Sequence, residues 1–473
     1  MRNNIRRLVA TLMAGFLVVG LALGYWQVVR GPALLARADN PRLVIAEQRA
    51  QRGRILDRNG VVLAYDQVRD DGTTARVYPY PEMVHVTGFY SLRYGVSNIE
   101  ASYDETLRGL AGRSSLRTFT DGLLHRPQIG SDVMLTLDAD LQAAADAALG
   151  DQRGAVIALD PYTGAILALA SHPAYDPNRL DETWEVLREL PSTPLLNRAT
   201  QGLYPPGSVF KTVTLAAALE TGLASPDEIF TDATGTLQVG DFTVRCHNHP
   251  GRTTFDLLHA YAYSCNVTFA KLGLRLGVER LAEMARRFGF EEPPPLEIPV
   301  ETSHLAATSP VDTMDEATLA ATAFGQGELM VTPLQMALVT AAVANGGQLP
   351  AVHLVQAVQD GSGQWHEPGR AVPHAAISPY TAQQLRMAMV LSVKEGRAGE
   401  AALPGVTVAG KTGTAQVGEP GQLPHAWFIG FAPAEAPRVV VVVLVENGGD
   451  GGRVAAPVAR EVLEWILTTD AQN

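Results

Sequence analysis

Between Arg7 and Arg30 the chain runs for about 22 residues, LVATLMAGFLVVGLALGYWQVV, without a charged side chain. At about 1.5 Å of helical rise per residue, such a run measures roughly 33 Å, enough to cross the hydrocarbon core of a bilayer. Tyr25 and Trp26 stand at its far end, where amphipathic rings anchor at the membrane interface. Arg2, Arg6 and Arg7 precede the run, against Arg30 and Arg37 after it. The excess in front predicts a cytoplasmic N-terminus. A leader cleaved near ALLARA (residues 33–38) is the competing reading, but the apolar run is longer than a leader's usual core. Residues 1–7 are therefore read as a cytoplasmic tail and 8–29 as a single-pass anchor. All later residues are then expected outside the cytoplasm, at the cell membrane. No other stretch is long and apolar enough to span. RVVVVVLVENG near the C-terminus has the length of a buried strand.

The chain beyond the anchor is long enough for two or three domains with a large core. The net charge is −12, and no basic run appears beyond the first seven positions, which argues against nucleic acid as a partner. Residues 30–131 are polar and rich in arginine. RGRILDRNGVVLA reads as a hairpin turning at Asn59-Gly60, and IEASYDETLRG as a short helix closed by Gly109. The region is too short for a second enzyme and is read as a small N-terminal pedestal. From residue 132 to 473 the pattern changes to α+β. A strand and a helix starting near Asp138 come first, then two apolar strands joined at Asp160–Gly164. A long helical stretch covers roughly residues 208–345, and three late strands precede a last helix. This order predicts one antiparallel sheet flanked by helices, with an all-helical subdomain inserted.

Lysine is scarce: of 37 basic Lys and Arg residues, only Lys211, Lys271, Lys394 and Lys411 are lysine. Lys211 follows Ser208 by three residues in YPPGSVFK, at the start of a predicted helix. Residues i and i+3 share a helix face, so the hydroxyl and the amine can meet. A serine needs a neighbour to take its proton before it can attack. An amine whose pKa burial has lowered can do so, whereas arginine never deprotonates. Two further elements carry polar groups of the same kind. Ser264 and Asn266 lie two apart in YSCNVTF, and Lys411-Thr412-Gly413-Thr414 lies on a predicted strand. There Gly413 leaves room for a ligand backbone to lie along the strand.

Ser-x-x-Lys, Ser-x-Asn and Lys-Thr-Gly-Thr in this order resemble the penicillin-binding serine transpeptidases and their β-lactamase relatives. NRATQGLYPPGSVFK, SCNVTFAKLG, FGQGELMVTPLQMA and HAWFIGFAP are similar to the transpeptidase domain of class B penicillin-binding proteins. RGRILDRNGVVLA and IEASYDETLRG resemble that class's pedestal. The resemblance implies a peptidoglycan D,D-transpeptidase that cross-links stem peptides through an acyl-enzyme on Ser208 and is inhibited by β-lactams. In it Lys211 would be the base, and the backbone N–H groups of Ser208 and Thr414 the oxyanion site. Asn266 would hold the acyl amide. Ser264, aided by Lys411, would protonate the leaving D-alanine, and Thr412, Gly413 and Thr414 would bind substrate. It implies no cofactor and no catalytic metal. The pedestal has no room for a glycosyltransferase, so polymerisation would fall to a separate membrane partner. A membrane-anchored β-lactamase, a D,D-carboxypeptidase and a non-catalytic penicillin sensor or scaffold are the alternatives. For the β-lactamase, Glu297 and Glu301 lie in the interval where a deacylating glutamate would stand, but without its usual surroundings. Cys246 and Cys265 leave three readings open: a disulfide, a zinc site with His247 and His249, or two inert thiols.

Overall fold

The computed structural model describes residues 2–26, 30, 50–111, 129–231, 235–246, 253–418 and 421–469. Helix Arg2–Gly24 buries none of its residues, and it is the one described helix long and apolar enough to cross a membrane.

The centre of the molecule is a five-stranded sheet. Its strands are β1 (Gly154–Leu159), β2 (Ile166–His172), β3 (Ala409–Ala415), β4 (His425–Ala432) and β5 (Val439–Val445), in the order β3-β4-β5-β1-β2. All four pairings are antiparallel. Antiparallel sheets commonly leave one face wet and then alternate apolar with polar residues. β4 and β5 do not, because every residue in them is buried. Their side chains divide by parity between two cores. Val440, Val442 and Leu444 join one, while Val439, Val441, Val443 and Val445 join the other. Helix Pro333–Ala344, buried at all twelve positions, covers the first face. Helices Ala139–Leu149 and Ala455–Thr469 cover the second. A continuous apolar run is what a strand covered on both faces requires. β3 is left at the sheet edge, with its outer side free to border a cleft.

The pedestal sheet does not end at residue 131. Its order is Trp365–His366, Val355–Gln359, Val133–Leu135, Ile55–Leu56, Val62–Val68, Thr74–Val77. Three of the six strands thus come from beyond the expected boundary. The Asn59-Gly60 turn is present, with Gly60 N donating to Asp57 O at 3.1 Å. The arginine bias of this region has a local use. Arg52 and Arg76 both hold the fully buried Glu100, each at 2.7 Å, while Arg52 also holds Asp104 and Arg76 also holds Asp66. A planar guanidinium can serve two carboxylates at once, which an ammonium does less well.

Two expectations need correction. The single helix ending at Gly109 is two short helices, Asn98–Ser102 and Asp104–Leu107. The helical stretch 208–345 also holds strands. Ile229–Phe230 pairs with Phe255–Asp256, and Thr236–Val239 forms a hairpin with Phe242–Arg245. The hairpin's signal is Gly240-Asp241 between alternating residues, with Gly240 at φ +54°.

Candidate active site

Pro205-Pro206-Gly207 turns the chain hard against β3. Gly207 has φ +57°, and a Cβ there would lie 2.9 Å from Thr414 O. A side chain would therefore both strain the backbone and push the turn off the strand. Trp427 Nε1 on β4 donates to Pro205 O at 3.0 Å, and Gly207 N donates to Gly325 O at 2.8 Å. Upstream, Arg198 Nε and Tyr204 Oη donate to Glu446 Oε1 at 2.8 and 2.7 Å, tying the approach to the end of β5. Ser208 does not open an α-helix directly. It lies in a 3₁₀ turn, Gly207–Phe210, that feeds helix Lys211–Glu220. In a 3₁₀ turn, residues i and i+3 eclipse. Lys211 Nζ accordingly lies 3.0 Å from Ser208 Oγ.

Ser264 sits between helices Leu257–Ala262 and Asn266–Arg287, with φ +63°. A non-glycine residue in this region costs on the order of 1 kcal/mol. The conformation lets one residue face Lys211 Nζ with two oxygens, its carbonyl at 2.8 Å and its Oγ at 3.1 Å. Asn266 begins the second helix. Its Oδ1 is 2.7 Å from Lys211 Nζ, and its Nδ2 donates to Arg245 O at 3.2 Å. Lys411 Nζ reaches the same Ser264 Oγ at 3.0 Å and donates to its neighbour's carbonyl, Thr412 O, at 2.9 Å. Ser208, Lys211, Ser264, Asn266 and Lys411 thus converge on one point.

Both lysines are fully buried. Burial brings the Lys211 amine down to about 7, and Arg397 adds to the fall. Burial, then Lys211, then Arg397 hold Lys411 well below the ordinary lysine range. The neutral form of Lys211 has two N–H donors and one lone pair. Ser264 O and Asn266 Oδ1, the two shortest contacts, accept the donors. The lone pair is then left for the Ser208 hydroxyl. Ser264 Oγ, between the two amines, is a station through which a proton can pass.

A cleft of about 870 Å³ opens onto this cluster. Ser208, Ser264, Asn266, Thr412 and Thr414 line it. Gly413 does not. A Cβ there would meet Pro206 O at 2.8 Å and Trp427 Cβ at 3.1 Å, so this glycine makes room for the serine turn and not for a ligand. Phe242–Arg245 of the hairpin also lines the cleft, as do Arg397 and Asp450. Glu297 is occupied elsewhere, accepting from Leu354 N at 2.8 Å, and neither it nor Glu301 lines the cleft. Cys246 and Cys265 are free thiols. Their mutual hydrogen bond, and then burial, push the Cys246 thiol up, so it stays uncharged beside Lys211. His247 and His249 lie outside the described residues.

Residues 154–464 match the family described as the penicillin-binding protein transpeptidase domain, and residues 52–133 match the penicillin-binding protein A dimerisation domain. The chain is 38% identical to the peptidoglycan D,D-transpeptidase PbpA of Mycobacterium tuberculosis, covering 99% of each chain. Identity to PbpA of Mycolicibacterium smegmatis is also 38%, again over 99% of each. The structure of penicillin-binding protein A from M. tuberculosis as its ceftriaxone acyl-enzyme complex superposes with a TM-score of 0.81 at 38% identity. That match covers 88% of this chain and 98% of the other.

Proposed function

The chain belongs to the penicillin-binding protein transpeptidase family, in class B, and from that premise we propose that it cross-links peptidoglycan stem peptides through an acyl-enzyme on Ser208. One observation carries the reading: a single buried amine, Lys211 Nζ, lies within 3.1 Å of Ser208 Oγ, Ser264 O and Oγ, and Asn266 Oδ1. Ser208 gives its proton to Lys211 as Oγ attacks the carbonyl of the penultimate D-alanine. The oxyanion sits between the backbone N–H groups of Ser208 and Thr414. The peptide C–N bond then breaks. The departing amine takes the proton from Lys211 through Ser264 Oγ, with Lys411 supporting that hydroxyl. Asn266 holds the acyl amide, and Thr412 and Thr414 hold the terminal carboxylate. An amine of a neighbouring stem enters in the second step. It gives its proton to Lys211, forms the cross-linking amide and restores the Ser208 hydroxyl. With a β-lactam the leaving amine stays tethered to the acyl group and blocks that entry. Arg2, Arg6 and Arg7, at the start of helix Arg2–Gly24 and ahead of its apolar run, favour a cytoplasmic N-terminus with the cleft on the outside. Glycan polymerisation falls to a separate membrane partner.

Among the described residues the one carboxylate lining the cleft is Asp450, which is paired with Arg397. That favours slow hydrolysis of the acyl-enzyme over the fast turnover of a β-lactamase. The test supplies a D-alanyl-D-alanine donor peptide and an amine acceptor and resolves the products by mass. Transfer to the amine should exceed hydrolysis, and a fluorescent penicillin label should persist. Rapid loss of label, or hydrolysis alone, would contradict the transpeptidase reading.

The pH dependence derives from Lys211. The site needs the neutral amine, and its pKa is about 7. Below that value the neutral fraction falls about tenfold per pH unit. The second-order rate of acylation by penicillin should therefore rise with pH and level off above about 8, since this rate reports the free enzyme. A profile that is flat from acid to neutral pH, or that rises only in the ordinary lysine range, would remove Lys211 as the base.

A further inference from the structure

Lys211 and Lys411 are wholly buried, and neither lines the cleft. A carboxylate held by Thr412 and Thr414 would be held more strongly by a positively charged donor from another side chain. Among the described residues, two arginines line the cleft. Arg245 is exposed on the outer hairpin. Arg397 is more enclosed, with its side chain 32% exposed. It stands between the two halves of the site. Its backbone N donates to Ala262 O at 3.4 Å, beside the turn that carries Ser264. Its carbonyl would lie 2.7 Å from a Cβ added to Gly452, in the loop after β5. That loop touches the carboxylate-binding strand directly, since Gly451 N donates to Thr414 Oγ1 at 3.3 Å.

Arg397 is held at rest by one contact, Nη2 to Asp450 Oδ2 at 3.1 Å. This is its only side-chain hydrogen bond among the described residues, so most of its fork of donors remains open. Asp450 is fixed, because its Oδ1 accepts from Gly452 N and Arg453 N at 2.9 and 3.2 Å. A pair this exposed to water is weak, and an incoming carboxylate can compete for the guanidinium. We propose that Arg397 is a specificity-determining residue that binds the C-terminal carboxylate of the donor peptide, with Asp450 as its resting partner. This rests on the transpeptidase reading above. Arg397 selects donors that end in a free acid, and it supplies a charge that the buried lysines do not present to the cleft.

The test compares acylation by benzylpenicillin and by its methyl ester, which lacks the carboxylate. At a pH above about 8, where Lys211 is largely neutral, the rate with the acid in Arg397→Ala should fall about tenfold or more, the scale of losing a charge-assisted hydrogen bond, while the ester rate stays within about twofold. Arg397→Lys should keep part of the preference for the acid, because it keeps a charge without the fork. Asp450→Asn preserves an oxygen for the loop N–H groups and should raise the acid rate severalfold by freeing Arg397. Equal losses with acid and ester in Arg397→Ala would mean a structural role, and an unchanged acid rate would mean none. Either outcome overturns the assignment while leaving Ser208 in place. A wild-type protein that forms no adduct with either compound would overturn the transpeptidase reading and this one together.

Discussion

Replacing Ser208 with alanine should leave a folded protein that forms no covalent adduct with any penicillin. Among the described residues the hydroxyl is the group placed to attack: it lines the cleft, with a buried amine 3.0 Å away. Nothing else in the cluster can substitute. Ser264 Oγ is held between two lysines that serve proton movement, and among the described residues no amine hydrogen-bonds to the hydroxyl of Thr412 or Thr414 on β3. Cross-linking turnover should fall by roughly a millionfold, the scale seen when a serine nucleophile is removed from a machinery of this type. The fold should survive. Losing Ser208 Oγ still leaves Lys211 Nζ three acceptors, Ser264 O, Ser264 Oγ and Asn266 Oδ1. A thermal melt within a few degrees of the wild type, together with an unshifted intact mass after penicillin, is the expected pair of results. Adduct formation at the wild-type rate would give the chemistry to another residue.

Lys211→Arg is the second large effect, and it separates charge from basicity. Arginine keeps a positive charge but cannot accept a proton from Ser208 at any usable pH. General-base catalysis contributes roughly 100- to 10,000-fold, so the acylation rate should fall by at least that range. The larger guanidinium must also enter a site with no exposure, where overpacking costs about 1–3 kcal/mol. Lys211→Met controls for that cost. It approximates the stem's volume, carries no amine, and should acylate as poorly while melting closer to the wild type. Normal labelling of either variant would overturn the base assignment. The two together distinguish lost chemistry from lost structure.

The sequence shows most plainly what is local and chemically scarce. With only four lysines in the chain, the two at the site stand out, and the turn-forming Pro-Pro-Gly before Ser208 points to an exposed hydroxyl. β5 is legible because burial on both faces leaves an uninterrupted apolar run, six valines and Leu444. Non-local pairing is not legible. Nothing in Val355–Gln359 announces that it pairs with Val133–Leu135 in the pedestal sheet, some 220 residues earlier. Gly413 is legible as a position where bulk is excluded. The excluding neighbours are Pro206 and Trp427, which only the folded chain brings there. Arg397 has no signal at all, being one arginine among 33. The scarcity that exposes the lysines hides the arginine. The hairpin Thr236–Arg245 is readable from its Gly-Asp turn, but the surrounding alanine- and leucine-rich pattern favours helix.

That Ser208, deprotonated by a buried Lys211, holds the acyl group is tested most directly by proteolytic mapping. The wild-type protein is digested after reaction with penicillin at a pH above 8. One adduct per chain is predicted, on the peptide that carries Ser208. An adduct on any other residue, or no mass gain at all, would contradict it.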